Sequence, residues 1–400
     1  MRRFYSMFFA AMAAVMMGFV MTSCSDDDNP STGEDQQYIT NEQLAKLGCY
    51  TDLHLHLDGS LSIKAARKLA QLQDITLDMS DEELRKQLQV DEGCQDLNEY
   101  LEKFAFPGTL LQTSVGITES IKILAQELKD LGYIYAEIRF APQKHCQKGL
   151  TQREVIEASI KGKQEAALPV SLILCCMRGD DNHEENLETV RLAAEYLDKG
   201  VAAIDIAGAE ALFPTSGFAD LFQLAKANNV PFTIHAGEAD GPESVKIALD
   251  YGTKRIGHGV KSTEDTSLMQ RLSDEGITLE FCPTSNLNTA IFPSISQFPY
   301  RLFLDKNVKF TINSDNMAVS ATNVIREFQL LNDTFHLTYS EVKQLLMNSI
   351  DASFASESLK KELRANVNKA FLQNSNTFAK QKHIDYHVAT SGYEINLTTS

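Results

Sequence analysis

From about residue 50 onward the chain alternates two kinds of pattern. Short strand-like runs occupy Tyr50–Leu57, Tyr133–Phe140, Val170–Met177 and Val201–Ala207, then Pro231–His235, Arg255–His258, Thr278–Cys282 and Val308–Asn313. Between them the apolar period changes to that of helices. Ile117, Ile121, Leu124 and Leu128 share one face ahead of Gly132, and Leu187, Val190, Ala194 and Leu197 share one ahead of Gly200. Pro242 suits the first turn of a helix that Gly252 ends. Eight strands interleaved with helices predict an α/β protein with a parallel sheet. Eight is also the number that closes a (β/α)8 TIM-type barrel, and an open doubly wound sheet is the alternative. No phosphate-binding glycine fingerprint follows the first strand, which weighs against the dinucleotide-binding form of that alternative. The stretch from Leu61 to Asp130 is too long for a simple crossover, so it reads as inserted helices after the first strand, covering the barrel mouth.

Composition changes the picture mainly at the N-terminus. The 400 residues are 43% hydrophobic and 23% charged, ordinary for a globular protein. A formal charge of -17 argues against nucleic acid or an anionic membrane surface as main partner. Arg2 and Arg3 precede an uncharged apolar run, Met7 to Met21, which is short for a membrane span and suits a signal-peptide core. Met21-Thr22-Ser23-Cys24 then resembles a bacterial lipobox. Residues 1–23 are thus expected to be a lipoprotein signal peptide, with Cys24 lipidated as the mature N-terminus; an ordinary cleaved signal or an anchor helix is the alternative. Residues 24–40, with Asp26-Asp27-Asp28 and Pro30, read as a flexible tether, residues 41–382 as the barrel domain and residues 383–400 as a polar and aromatic tail. The expected location is the cell envelope, in the periplasm or at the cell surface, with the lipid as the only membrane contact. Cys49, Cys94, Cys146, Cys175, Cys176 and Cys282 lack a regular disulfide spacing, and three lie inside strand-like runs, which favours buried free thiols.

The chemistry gathers at strand ends. In the first strand alternate residues share a face, so Asp52, His54, His56 and Asp58 point one way and Leu53, Leu55 and Leu57 the other. One imidazole on an inner face is usually a hydrogen-bonded core residue. Two at period 2 favour a metal, because burying both without a partner is costly. His235, His258 and Asp315 each sit where a strand-like run stops, the catalytic edge of a barrel. His54, His56, His235 and Asp315 make a ligand set that suits one zinc ion per chain. Glu238 and His258 are left over as groups for proton transfer and for orienting water. Such a set suits hydrolytic attack on an electrophilic carbon. It does not choose between an amide, a phosphoester and an amino-purine.

A resemblance makes that choice. His54-Leu55-His56-Leu57-Asp58-Gly59-Ser60, Ala136-Glu137-Ile138-Arg139-Phe140-Ala141-Pro142 and Ile204-Asp205-Ile206-Ala207-Gly208 resemble successive blocks of the adenosine deaminase family. So do His235-Ala236-Gly237-Glu238, Arg255-Ile256-Gly257-His258-Gly259, Cys282-Pro283-Thr284-Ser285-Asn286 and Ser314-Asp315. They come in the family's order over roughly residues 48–375. The cytidine-type zinc deaminases pair H-x-E with P-C-x-x-C; His183-Glu184-Glu185 meets the first half, and nothing meets the second. The resemblance implies zinc on His54, His56, His235 and Asp315. It implies that Glu238 gives a proton to ring nitrogen N1, that His258 steers the attacking water to carbon 6, and that adenosine or deoxyadenosine becomes inosine (or its deoxy form) and ammonia. It further implies substrate contacts through His56, Asp58 and the backbone of Gly208, and a helical lid after Ser60 that includes Phe104 and Phe106, two aromatics that plain core packing would equally explain.

Two positions depart from the pattern. Asn316 stands where the family usually has an aspartate that contacts purine N7, and Ala209 stands where an acidic residue is common. A carboxamide always has an N–H to donate, whereas a carboxylate must first be protonated. The departures bear on the substrate and not on the reaction type. They keep open a deaminase of another amino-purine or modified nucleoside, and, outside enzymes, a nucleoside-binding surface lipoprotein that has lost catalysis.

Overall fold

The eight strand-like runs form eight parallel strands: β1 (Tyr50–His56), β2 (Tyr133–Phe140), β3 (Val170–Met177), β4 (Val201–Ala207), β5 (Ile234–Ala236), β6 (Arg255–His258), β7 (Thr278–Phe281) and β8 (Lys309–Ile312). The structure is a computed structural model that describes residues 37–91 and 93–374. The signal peptide, Cys24, most of the tether and the tail from residue 383 lie outside the described residues.

Strands β1 to β4 pair in sequence order, as do β5 to β8. Two parallel bridges, Ile204 with Phe232 and Leu55 with Asp315, join these halves into a closed eight-stranded barrel. At the β8–β1 seam, Asp315 N–H donates to the His54 carbonyl at 2.8 Å and His56 N–H donates to the Asp315 carbonyl at 2.8 Å. The open-sheet alternative is thereby excluded. Closure also stitches the β8 loop to the strand that carries two of the candidate ligands.

Helices pack around the barrel through the periodic faces seen in the sequence. The helix Ser114–Asp130 starts where the Thr113 side chain accepts from Gly116 N–H, and buries Ile117, Ile121, Leu124 and Leu128. Complete burial of each such side chain stabilises by about 1.5–3 kcal/mol. The chain then turns at Gly132, whose φ is +85°, and a Cβ there would lie 2.9 Å from the Gly48 Cα. The outward Leu53 and Leu55 of β1, and Leu57 just after it, enter this shared core.

Three details differ from expectation. β5 is displaced to Ile234–Ala236 from the expected Pro231–His235, because Pro231 and Phe232 instead serve the β4 edge through single bonds. Asp58 lies beyond β1, at the start of a short 3-10 turn, so its direction comes from the turn and not from strand alternation. The folded body also begins before residue 41: Ile39 is buried and its N–H donates to the Leu337 carbonyl at 2.9 Å. All six described cysteines are free thiols, and Cys49, Cys175, Cys176 and Cys282 are buried.

Between Ser60 and the helix Ser114–Asp130 lie short helices at Ile63–Leu72, Asp81–Leu88, Leu97–Leu101 and Ala105–Leu110. They roof the end of the barrel where the strands stop. The roof docks on the β8 loop through a small separate cluster of Val90, Tyr100 and Val319. The Val90 N–H donates to the Val319 carbonyl at 2.9 Å, and the Tyr100 hydroxyl lies 2.6 Å from Ser320 Oγ.

Candidate active site

At the C-terminal ends of the strands, five side chains distant in sequence converge. His54 and His56 come from β1, His235 from β5, His258 from β6, and Asp315 from the residues just after β8. His56 Nε2 lies 3.3 Å from His235 Nε2 and 3.4 Å from Asp315 Oδ1, and His54 Nε2 lies 3.4 Å from the same oxygen. Two imidazole nitrogens facing each other at that distance, with the Asp315 carboxylate against His56 and His54, leave lone pairs directed into one small space. Four ligand atoms held tetrahedrally at about 2.0–2.1 Å from one ion lie about 3.3–3.4 Å apart, the spacing seen here. Mutual proximity also groups His54, His235, His258 and Asp315, with ligand atoms within 4.8 Å of one another. His258 stands further out, its Nε2 4.0 Å from Asp315 Oδ2 and 3.7 Å from Glu238 Oε2.

Behind these rings is a layer of buried charge. His54 Nδ1 lies 2.8 Å from Glu280 Oε2, and His235 Nδ1 lies 2.7 Å from Asp205 Oδ2. A carboxylate on Nδ1 holds that nitrogen protonated and presents the Nε2 lone pair, the support that metal-binding histidines need. Arg139, fully buried, bridges the two carboxylates at 2.8 Å each, and Arg255 joins Glu280 to Glu137 at 2.7 Å. Burial alone would raise the carboxyls of Asp205 and Glu280. The neighbouring His235 and Arg139 hold Asp205 well below the usual carboxylate range, and Arg255 and Arg139 do the same for Glu280. The motif blocks include Glu137, Arg139, Asp205 and Arg255 without giving them a role and leave out Glu280, although a signal exists. Arg139, Asp205 and Glu280 are charges inside apolar strands, at positions where a partner is obligatory.

Two site residues carry backbone strain. His258 and Asp315 have φ of +60° and +59°, in the left-handed region. For a residue other than glycine this costs on the order of 1–3 kcal/mol, and the seam bonds around Asp315 sustain it. Beneath them Gly257 allows close approach: a Cβ there would lie 3.1 Å from His54 Cε1. The Asn286 amide faces His258 Nδ1 at 3.2 Å and orients the ring.

The cluster opens into a cavity of about 410 Å³ whose walls include Asp58, Tyr100, Phe104, Gly208, Glu238 and Asn316. Phe104 faces this space while Phe106 packs on the main core, so the two aromatics divide between lid and packing. Burial, followed by the charges of Asp315 and Glu210, raises the Glu238 carboxyl well above its ordinary range and so favours its protonated form. Burial pushes the Asp58 carboxyl up to about 6. His258 is held well below the usual imidazole range, first by burial and then by the nearby His54. Asn316 rests against the open face of Gly59, where a Cβ would come within 1.8 Å of its Oδ1. The structure thus brings together every candidate catalytic, metal and substrate residue named from the sequence except Cys24, which lies outside the described residues. His183 is apart from them, paired with Asp220 at 3.1 Å on the surface.

A closed parallel barrel with buried imidazoles and a carboxylate at its C-terminal mouth, and a buried carboxyl of raised pKa beside them, defines a metal-dependent hydrolase. A family model described as adenosine deaminase matches residues 50–370, and the chain belongs to the adenosine deaminase family. It is 46% identical over 339 residues to an adenosine deaminase of Haemophilus ducreyi, covering 82% of this chain and 98% of the relative. Among solved structures, an adenine deaminase from Arthrobacter aurescens is 29% identical with a TM-score of 0.72, covering 80% of this chain and 98% of that one. The apo N6-methyl-AMP deaminase of Arabidopsis thaliana is 26% identical with a TM-score of 0.72, covering 82% and 98%.

Proposed function

We infer that this chain is an aminohydrolase that converts adenosine to inosine and ammonia. The observation that carries the reading is a buried Glu238, its carboxyl raised by burial, beside the imidazole–carboxylate cluster in a cavity that the roof helices help to line. We assign His54, His56, His235 and Asp315 as ligands of one zinc ion. The 3.3–3.4 Å separations of His56 from His235 and of His54 and His56 from Asp315, together with the imidazole-plus-carboxylate donor set, support that assignment. Zinc bound there supplies Lewis acidity, which lowers the pKa of water within its reach to about 7.

The remaining chemistry belongs to the protein's own groups. Glu238 donates its proton to ring nitrogen N1 as the water oxygen bonds to carbon 6, so that the carbon 6–N1 π pair moves onto N1 and takes up that proton. His258, kept neutral by burial, orients the attacking water and has a ring nitrogen 3.7 Å from Glu238 through which a proton can pass. The carbon 6–nitrogen bond then breaks, ammonia leaves with one of the water protons, and the other returns to Glu238 as the carbon 6 carbonyl forms. Asp58 faces the ribose, the Gly208 backbone faces N3, and the Asn316 amide donates to N7.

Loss of adenosine absorbance under the purified protein tests the reading, with Glu238→Gln as control. A glutamine cannot release a proton, so kcat is expected to fall by about 10²–10⁴-fold with KM little changed. Equal activity in the variant would remove the mechanism.

Asn316 supports a second reading of the substrate, another 6-amino-purine or a modified nucleoside, because its neutral amide differs from the family's aspartate. The kcat/KM of adenosine against other aminated purines, on wild type and Asn316→Asp, decides between them. Dominance of adenosine in both proteins would discard the second reading. The zinc content of the purified protein separates either enzyme from a nucleoside-binding protein without catalysis.

We also propose that the enzyme is held at the cell envelope by lipid on Cys24, a reading supported by the leader sequence. Among the described residues no helix is long and apolar enough to cross a membrane. With Cys24→Ser, the protein is expected to move from the membrane fraction to the soluble one. Retention of the variant in membranes would overturn the anchor.

A further inference from the structure

The turn that bears Glu238 is gripped from outside the cavity by a second carboxylate. Glu210, on the segment after β4, is 1% exposed. Its Oε1 accepts from Gly237 N–H at 2.7 Å and from the Ser244 hydroxyl at 2.5 Å. Its Oε2 accepts from the N–H groups of Glu238, Ala239 and Asp240 at 3.0, 2.9 and 3.1 Å. Four consecutive backbone donors therefore point at one side chain.

Such convergence requires a tight bend, which Gly237 supplies. Its φ is +67°, and a Cβ would lie 2.5 Å from Val245 Cγ2. The other side of the segment is secured as well. Arg178 donates to the His235 carbonyl at 2.6 Å and to Thr215 Oγ1 at 3.0 Å, and Thr215 Oγ1 lies 2.7 Å from Ser244 Oγ. The stretch from His235 to Asp240 is thus fastened at both ends by buried polar groups.

We propose that Glu210 is a positioning residue for the proton transfer: it shapes the 237–240 turn so that the Glu238 side chain enters the cavity, without itself touching substrate. The proposal rests on the reading of Glu238 as the proton donor. Only a carboxylate meets the demand. It offers about four acceptor directions on two oxygens, whereas a carboxamide has one acceptor oxygen and would turn its own N–H groups toward the turn's donors. Bonds from backbone N–H to an ionised acceptor are also among the stronger ones, so the turn is held rigidly. Aspartate keeps the charge but reaches one methylene less far.

The test measures steady-state kinetics, metal content and local amide hydrogen exchange on full-length wild type, Glu210→Gln and Glu210→Asp. In Glu210→Gln, kcat is expected to fall about 10²-fold or more, with KM within about threefold and metal content retained. Exchange in the peptide spanning residues 236–241 should rise at least about tenfold while the barrel strands stay protected. Glu210→Asp should recover about tenfold of the lost kcat, a rescue that a mere packing role would not give. Wild-type kcat in Glu210→Gln, or a loss that appears only with metal release or barrel-wide exchange, overturns the proposal. Should Glu210→Gln fail to fold, Glu210→Asp carries the test: an intermediate kcat loss with faster exchange confined to the turn supports it, and unchanged kcat overturns it. If wild type deaminates no nucleoside, the reading of Glu238 falls by itself. The exchange result still judges the grip, and an unchanged turn overturns it.

Discussion

Glu238 shows how far one side chain's environment reaches. The same carboxyl in water would be ionised at neutral pH and useless as an acid. Buried, and beside Asp315, it holds its proton more tightly. His145 shows the opposite case and yields a stability prediction. It is buried in the short turn after β2, and burial lowers its pKa from 6.5 to about 4. The folded state therefore stays neutral while the unfolded chain takes up a proton below 6.5. Its stabilising contribution is complete above 6.5 and is lost as pH falls from 6.5 towards 4, by about 3 kcal/mol in all. His145→Gln should flatten that acid limb in urea titrations run between pH 7 and 4. An identical limb in wild type and variant would show that His145 does not carry it.

At the scale of elements, the roof helices meet the β8 loop at the wall of the cavity. The joint is small: Val90, Tyr100 and Val319 form a cluster separate from the main core, and one hydroxyl contact links Tyr100 to Ser320. A single hydrogen bond of this kind contributes about 0.5–1.5 kcal/mol. Tyr100→Phe should accordingly raise KM for adenosine by up to about tenfold while kcat stays within about twofold, because no reacting atom is touched. A drop in kcat with KM unchanged would place Tyr100 in the chemistry instead. The helix Ser114–Asp130 could be read from its apolar period and its final glycine. The joint could not, since Tyr100 and Ser320 are far apart in the chain and neither carries a local signature.

For the whole molecule, closure of the barrel and the metal centre are one problem. The seam between β8 and β1 passes through Asp315, His54 and His56, so the groups assigned to the ion also close the cylinder. Without a cation, the facing His56 and His235 nitrogens and the Asp315 carboxylate remain buried without a common partner. A chelator is expected to lower the thermal midpoint by about 5 °C or more, and restoring zinc should recover it. A midpoint unmoved by chelation and by zinc would mean that the cluster holds no ion in solution.

Much of this protein was determined by its sequence alone. Strand alternation placed His54 and His56 on one face because side chains in a strand repeat every two residues, and apolar runs ending in His235, His258 and Asp315 marked the functional edge. These are local regularities, and they survive without knowledge of neighbours. Only the tertiary structure decided that the sheet closes, that Arg139 bridges Asp205 and Glu280 behind the imidazoles, and that Glu210 reaches across to the turn bearing Glu238. These side-chain contacts join residues from 27 to 141 positions apart. Their partners are selected by burial, where an unpaired charge is too costly to persist, and no period along the chain records that choice.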